Sequence, residues 1–368
     1  MAVRQKDLSE ILTLHRQRYP LMEPVDYGKL LYQNEFGPEH IIRSPEQVQE
    51  YLLREWTEAA AGRAETSSAV NSTDTIEDIG NHLYRFHLTD VYEPAIAVPL
   101  LARLLFLTAR QHQGTMERMK AKLSRLQDWS LALRSRSFAP LEPWLTDYLR
   151  SGCPALHHSE TFRSAYAPHY RLLRDVYAIY FPILYQVQKL LSETDRVVIA
   201  IDGPCGSGKS SLADLLAELF PSRILHMDDY YLPLQQRSPG WEQIPCENMD
   251  LQRFLQEALL PASRGEEILY RPYSCRKGQL TDSRILPAAP LTIAEGSYSH
   301  HPLLAPHYDL KIYLTCHHQE QLARLARREQ SHLNDYRQRW IPLEEAYTRA
   351  CHIIPQCDLY FNNTPFFM

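Results

Sequence analysis

The segment Gly203-Pro-Cys-Gly-Ser-Gly-Lys-Ser210 constrains this chain more than any other, because it matches G-x-x-x-x-G-K-[ST] in the context that pattern requires. An apolar, β-branched run, Arg196-Val-Val-Ile-Ala-Ile201, precedes it and predicts a buried central strand. The stretch Ser211–Phe220 follows, with Leu212, Leu215, Leu216, Leu219 and Phe220 on one helical face. Glycines between strand and helix let the backbone curl, so that successive N–H groups and the positive helix end surround a phosphate. Lys209 then reaches the β- and γ-phosphates of a nucleotide, and the Ser210 hydroxyl ligates Mg²⁺. The nucleotide-holding set is Gly203, Pro204, Cys205, Gly206, Ser207, Gly208, Lys209, Ser210 and Ser211.

The chain has 368 residues, enough for about two domains. With 39 basic and 44 acidic residues its net charge is −5, so there is no global positive field to draw it onto nucleic acid or anionic lipid. Seven cysteines without a C-x-x-C pair argue against a disulfide framework or a zinc ribbon, and reduced thiols suit a cytoplasmic protein. There is no run of 18 apolar residues and no apolar leader at the N-terminus, so neither secretion by that route nor a membrane span is expected.

Organisation follows from periodicity. Helical spacing marks Leu8–Arg18, Pro45–Trp56, Pro99–Gln113 and Thr115–Arg134, and Ala59–Thr75 is small and polar and reads as a loop. Tyr170–Leu191 reads as a helix ending just before the strand at Arg196. These features predict a mostly α-helical domain over residues 1–190 and an α/β P-loop domain with a parallel sheet over 191–368.

The rest of the chemistry lies after the loop. The short strand Arg223–Met227 ends in Asp228-Asp-Tyr-Tyr231, and residues just past a strand's C-terminal end line the ligand crevice of an α/β sheet. A carboxylate there takes the proton of an attacking hydroxyl or holds a Mg²⁺ water, although an Asp pair after a strand also serves as a cap or turn. A second strand, Pro290–Ala294, delivers Glu295 to the same edge as a second hard oxygen ligand beside Ser210. Asp309–Leu314 and Asp358–Phe361 complete five strands. Arg324 and Arg328, four apart in Gln319–Arg328, share a helix face that closes over the phosphates as a lid or stays a solvated charged face.

The order GPCGSGKS, MDDYYLP, RPYS, IAEGSYS, DLKIYL and an arginine helix resembles the uridine kinase and phosphoribulokinase family of P-loop kinases, over about residues 195–364. The resemblance implies Asp228 as catalytic base, Tyr231 as a substrate contact, and Glu295 with Ser210 as magnesium ligands. By the same resemblance, Arg271-Pro-Tyr273 matches a substrate hairpin, Arg324 to Arg328 the lid, and Glu247 the position of a ribose contact. Asp229 stands where the family has a small polar residue, and Arg339-Trp-Ile-Pro-Leu-Glu-Glu345 is like a run in bacterial uridine-kinase-like proteins.

The expected function is transfer of the γ-phosphoryl of ATP·Mg²⁺ to a hydroxyl of a small metabolite, with a nucleoside favoured by the resemblance. ATP rather than GTP suits the lack of an N-K-x-D motif. The competing class is a regulatory ATPase whose N-terminal domain binds a partner, since a P-loop alone does not fix function. Nucleic acid and membrane are not expected partners, and a homo-oligomer is compatible with the sequence. In the first half, Tyr32–His40, Asn81–His87 and Leu156–Arg163 concentrate polar and aromatic residues, which suggests a sensing pocket or an interface more than a metal site. Cys205 is a candidate for oxidation if the helix terminus stabilises its thiolate.

Overall fold

The computed structural model describes residues 6–38, 44–65, 75–89, 91–133 and 141–364. The chain divides into two compact units, Gln5–Gln188 and Lys189–Met368.

The first unit is mainly helical: α1 (Leu8–Arg18), α2 (Pro24–Phe36), α3 (Pro45–Glu65), α4 (Pro94–Gln111), α5 (Met116–Ala132), α6 (Leu141–Arg150), α7 (Glu160–Tyr166) and α8 (Asp175–Glu193), the last running on past Gln188. Asp7 caps α1 by accepting from the Glu10 N–H while the Glu10 carboxylate accepts from the Asp7 N–H. Leu12, Leu30, Leu31, Leu123 and Leu126 meet in one apolar cluster. Three strands, β1 (Ile76–Gly80), β2 (Leu83–His87) and β3 (Tyr170–Arg174), form an antiparallel sheet in that order.

The structure corrects the sequence reading here in three places. The Tyr170–Leu191 helix begins only at Asp175, because Tyr170–Arg174 pairs with His87–Leu83 as a strand. The loop expected from Ala59 is helical through Glu65, and residues 66–74 lie outside the described residues. The helix expected from Pro99 starts at Pro94, with Pro99 inside its first two turns.

Two of the polar segments singled out in this half meet, and residues 39–40 of the first lie outside the described residues. Asn81 Nδ2 donates to the Asn34 carbonyl at 2.6 Å, and Arg85, fully buried in β2, donates to Gln33 Oε1 at 2.8 Å. His158 sits 2.8 Å from Asp26 and 2.7 Å from the Tyr170 hydroxyl. These buried polar groups are thereby hydrogen-bonded within the first unit. No group of three or more metal-ligating side chains occurs among the described residues. Nor is any described helix long and apolar enough to cross a membrane.

The second unit is built on a parallel five-stranded sheet. Its strands are β4 (Val197–Asp202), β5 (Ser222–His226), β10 (Leu291–Glu295), β11 (Leu310–Thr315) and β12 (Leu359–Asn362), in the order β12-β11-β4-β10-β5. The short strands β6 (Ile268–Tyr270), β7 (Tyr273–Ser274), β8 (Gln279–Leu280) and β9 (Arg284–Leu286) form two small antiparallel pairs beside it. Helix α9 (Lys209–Leu219) follows β4 and buries Leu212, Leu216 and Leu219. Helices α10 (Leu251–Phe254) and α11 (Leu260–Arg264), joined by a π-helical turn, precede β6. Helix α12 (His318–Glu329) follows β11, and α13 (Leu333–Asp335), α14 (Ile341–Ala350) and α15 (Ile353–Gln356) lead to β12. From β4 the chain runs to β5 and β10 on one side and to β11 and β12 on the other. The loop after β4 therefore lies at the point where the sheet order reverses, the usual ligand crevice of an open α/β sheet.

Candidate active site

The loop from Gly203 to Gly208 is shaped by its backbone. Gly203 has φ +141°, and a Cβ there would lie 1.9 Å from the Leu314 carbonyl oxygen, so only glycine fits. Asp202 fixes the strand end: its carboxylate accepts from the N–H groups of Gly203 at 2.6 Å and His300 at 2.9 Å and from the Tyr347 hydroxyl at 2.7 Å. Several loop carbonyls are hydrogen-bonded by side chains. Gln321 Nε2 donates to Cys205 O at 2.8 Å, Arg324 to Gly206 O at 3.3 Å, and Asn363 Nδ2 to Ser207 O at 2.7 Å. Lys209 Nζ donates to the carbonyls of Gly203 at 2.8 Å and Pro204 at 3.1 Å.

Strand register assembles the carboxylate side. Glu295, the last residue of β10, lies opposite Ile201 on one neighbour and His226 on the other. The Glu295 carboxylate therefore takes the Ser210 hydroxyl at 3.1 Å through one oxygen and meets His226 Nδ1 at 2.6 Å through the other. Burial opposes charge on Glu295, but the His226 contact, Lys209 and Ser210 together hold its carboxyl below the usual range. The same contact raises His226 above its ordinary value, against the effect of its partial burial. Gly296 follows with φ +137°, where a Cβ would lie 2.6 Å from that of Met227.

Asp228 is the second residue of the turn Met227–Tyr230 after β5, open to solvent through the cavity and ringed by protein. That crowding raises its carboxyl above the ordinary value, Lys209 pulls it down, and the Glu295 carboxylate pushes it up again. The Tyr231 hydroxyl donates to Asp228 Oδ1 at 3.2 Å. Asp229 is committed elsewhere: the Tyr270 hydroxyl donates to its carboxylate, and Arg253 donates to its carbonyl at 2.9 Å.

These groups face one cavity of about 620 Å³. Of the residues expected from the sequence, Cys205, Gly206, Gly208, Lys209, Ser210 and Ser211 line it, and so do Asp228, Tyr231, Tyr273, Glu295, Arg324 and Arg328. Gly203 and Pro204 contribute carbonyls behind it, and Ser207 is buried beneath it. Arg324 Nε is held by Glu320 at 2.9 Å, and Arg328 donates to the Tyr336 hydroxyl at 3.0 Å.

Two expected substrate contacts are not among the lining residues. Glu247 instead accepts from Ser238 Oγ at 3.0 Å, and Arg271 pairs with Glu257. The oxidation expectation for Cys205 is also corrected. Burial and the nearby Glu344 carboxylate push its thiol pKa up, which suppresses the thiolate.

Sequence reasoning missed several participants. His226 is legible only as a residue of a short strand, Ser297 follows the Glu-Gly pair, and Glu344 lies on α14. The Glu344 carboxylate accepts from the Cys205 N–H at 2.8 Å and from Ser297 Oγ at 2.6 Å. Trp241, Trp340, Arg237 and Arg339 form a further wall of the cavity.

No family model matches the chain, and no curated protein matches it. Among solved structures it is similar to a "possible uridine kinase" from Bacillus stearothermophilus, at 18% identity over 49% of this chain and 99% of that one, with a TM-score of 0.38. It is also similar to a D-glycerate 3-kinase from Cryptococcus neoformans, at 14% identity over 46% and 87%, with a TM-score of 0.37. A shikimate kinase from Bacteroides thetaiotaomicron is 13% identical over 45% and 86%, with a TM-score of 0.25. The parallel five-stranded sheet, the glycine-rich loop after its central strand and the flanking helices give the second unit a P-loop α/β fold.

Proposed function

We propose that residues 189–368 transfer the γ-phosphoryl group of ATP to a hydroxyl of a small metabolite. One observation carries this reading: the loop residues Lys209 and Ser210, the carboxylate of Glu295 and the solvent-open carboxylate of Asp228 face a single cavity. A second carboxylate beside the phosphates suits an attacking hydroxyl that must lose a proton, and whether that hydroxyl belongs to a metabolite or to water is what the acceptor panel separates.

Ser210 and Glu295 present two hard oxygens 3.1 Å apart, which fits Mg²⁺, an ion that takes few protein ligands and keeps its waters. When bound, Mg²⁺ neutralises charge on the β- and γ-phosphates. In the step itself the acceptor oxygen attacks the γ-phosphorus, and the bond from that phosphorus to the β–γ bridging oxygen breaks. ADP leaves with the electron pair, and the hydroxyl proton passes to an Asp228 carboxylate oxygen. Lys209 and the loop N–H groups hold the phosphates, and Arg324 and Arg328 offset charge that builds on the transferred group. The nucleoside that the family resemblance implies falls within this acceptor class.

The test is ADP release by the full chain with MgATP over a panel of nucleosides, pantothenate and sugar phosphates. Acceptor-dependent release that collapses in Lys209→Ala supports a kinase. Release at the same rate without acceptor, or binding without turnover, supports a regulatory ATPase instead.

A further inference from the structure

One side of the cavity has a definite chemistry. From Asp228 it runs along an aromatic wall: Tyr231 donates to Asp228, Trp340 lies 6.4 Å from the Tyr231 ring, and Trp241 lies 6.0 Å from Trp340. Two guanidiniums close this wall. Arg237 stands 4.4 Å over Trp241 and 5.9 Å from Tyr231, and Arg339 lies 5.8 Å from Trp241 and 5.9 Å from Trp340.

These two arginines differ from the others nearby. Arg324 pairs with Glu320, Arg271 with Glu257, and Arg253 with Asp250. Neither Arg237 nor Arg339 forms an ion pair among the described residues, and Arg237 donates only through Nε, to the Leu232 carbonyl at 2.9 Å. Stacking on indole orients a guanidinium while leaving its Nη edge available, and that planar edge matches a carboxylate or phosphate in bidentate fashion. No Asn, Gln or His is among the residues lining the cavity, so the side chains left to meet an acceptor on this wall are hydroxyls, indoles and the two guanidiniums. Its carboxylates are Asp228, Glu295 and Glu344, and Glu295 and Glu344 are hydrogen-bonded at the phosphate end.

We infer that the acceptor carries an anionic group, a carboxylate or a phosphate ester, which Arg237 and Arg339 hold while its hydroxyl faces Asp228. This rests on the kinase reading above and narrows its substrate class. Positive charge on this wall and a carboxylate at its start also fix direction, since the reversed acceptor sets its anion against Asp228.

Matched pairs test it in the full chain with MgATP: glycerol against glycerate and glycerol 3-phosphate, pantothenol against pantothenate, ribose against ribose 5-phosphate, and uridine as the neutral nucleoside. The expected result is kcat/KM at least about a hundredfold higher for the anionic member of at least one pair. Success of glycerate or pantothenate identifies a carboxylate, and success of a phosphate ester identifies a phosphate. Arg237→Gln and Arg339→Gln are each expected to raise KM for that acceptor about tenfold or more, with KM for ATP within twofold. Both side chains stand at the cavity wall, so melting temperatures close to wild type are expected and are measured alongside. The inference is overturned if neutral members turn over as well as their anionic partners, or if the arginine variants raise KM for ATP instead. It is equally overturned if a protein that binds MgATP phosphorylates no anionic member. Failure to bind MgATP at all, read by calorimetry, defeats the kinase reading itself.

Discussion

Glu344, on α14, accepts the backbone N–H of Cys205 inside the phosphate loop at 2.8 Å. Its other oxygen takes the Ser297 hydroxyl at 2.6 Å. Burial pushes the Glu344 carboxyl above the usual range and Lys209 opposes that shift, so a costly buried acid stands beside a loop built to attract anions. Glu344→Gln keeps an acceptor for Cys205 and a partner for Ser297 while removing the charge. Like charges about 4 Å apart repel by roughly 1 kcal/mol even at water-like dielectric. Calorimetry with MgATP is therefore expected to show Kd lowered about fivefold or more in Glu344→Gln. An unchanged or higher Kd shows that the charge does not oppose the nucleotide.

Gly203 gives the sharpest stability expectation. Its φ of +141° and the 1.9 Å approach of a Cβ to Leu314 O leave no room for a side chain. Backbone strain of this kind costs about 1–3 kcal/mol, and the clash with a backbone carbonyl adds to it. Gly203→Ala is expected to lower the urea midpoint of the second unit's unfolding and to abolish nucleotide binding. A midpoint equal to wild type contradicts the geometry.

The contact of His226 with Glu295 makes a titration prediction. Because the Glu295 carboxylate raises His226 above the ordinary histidine value of 6.5, NMR titration is expected to give a His226 pKa above that value in the wild type. In Glu295→Gln it is expected to fall to or below it, since only the opposing burial remains. A raised histidine contributes stability that is fully present below its unfolded pKa and is lost as pH rises through the folded one. Exchange of MgCl₂ for EDTA is expected to leave the Glu295→Gln value unchanged.

In the first unit, Arg85 is fully buried with its Nη1 3.3 Å from Glu77, which is itself buried. Glu77 also faces His15 at 3.4 Å and His87 at 3.7 Å. Removing a buried charge that faces several partners strands them, at a cost of about 3–5 kcal/mol. Glu77→Ala is expected to lower the first unit's unfolding midpoint accordingly, and a midpoint equal to wild type contradicts the pairing.

The second unit was largely legible because its physics is local. Strands β4, β10 and β11 are short apolar runs, and the P-loop motif, its helix and Asp228 follow one another in sequence. The sheet of the first unit was not legible. The buried Arg85 breaks the apolar pattern of β2, and Tyr170–Arg174 runs without a break into the apolar helix α8. In the site, Glu247 and Arg271 were assigned by resemblance, and the Ser238 and Glu257 contacts that occupy them are set by the folded chain. Glu344 went unassigned for the same reason. It lies 139 residues from Cys205, and no spacing rule joins a carboxylate on one helix to an amide in a distant loop.

The central claim is that Asp228 takes a proton from an acceptor hydroxyl while the loop holds ATP. The most direct test compares ADP release with MgATP and a working acceptor in wild type and Asp228→Asn, with MgATP affinity measured in both. The expected result is kcat lowered about 10²–10⁴-fold in Asp228→Asn, as loss of a general base requires, with the MgATP Kd within about threefold. Acceptor-dependent ADP release at the wild-type rate in Asp228→Asn contradicts the account.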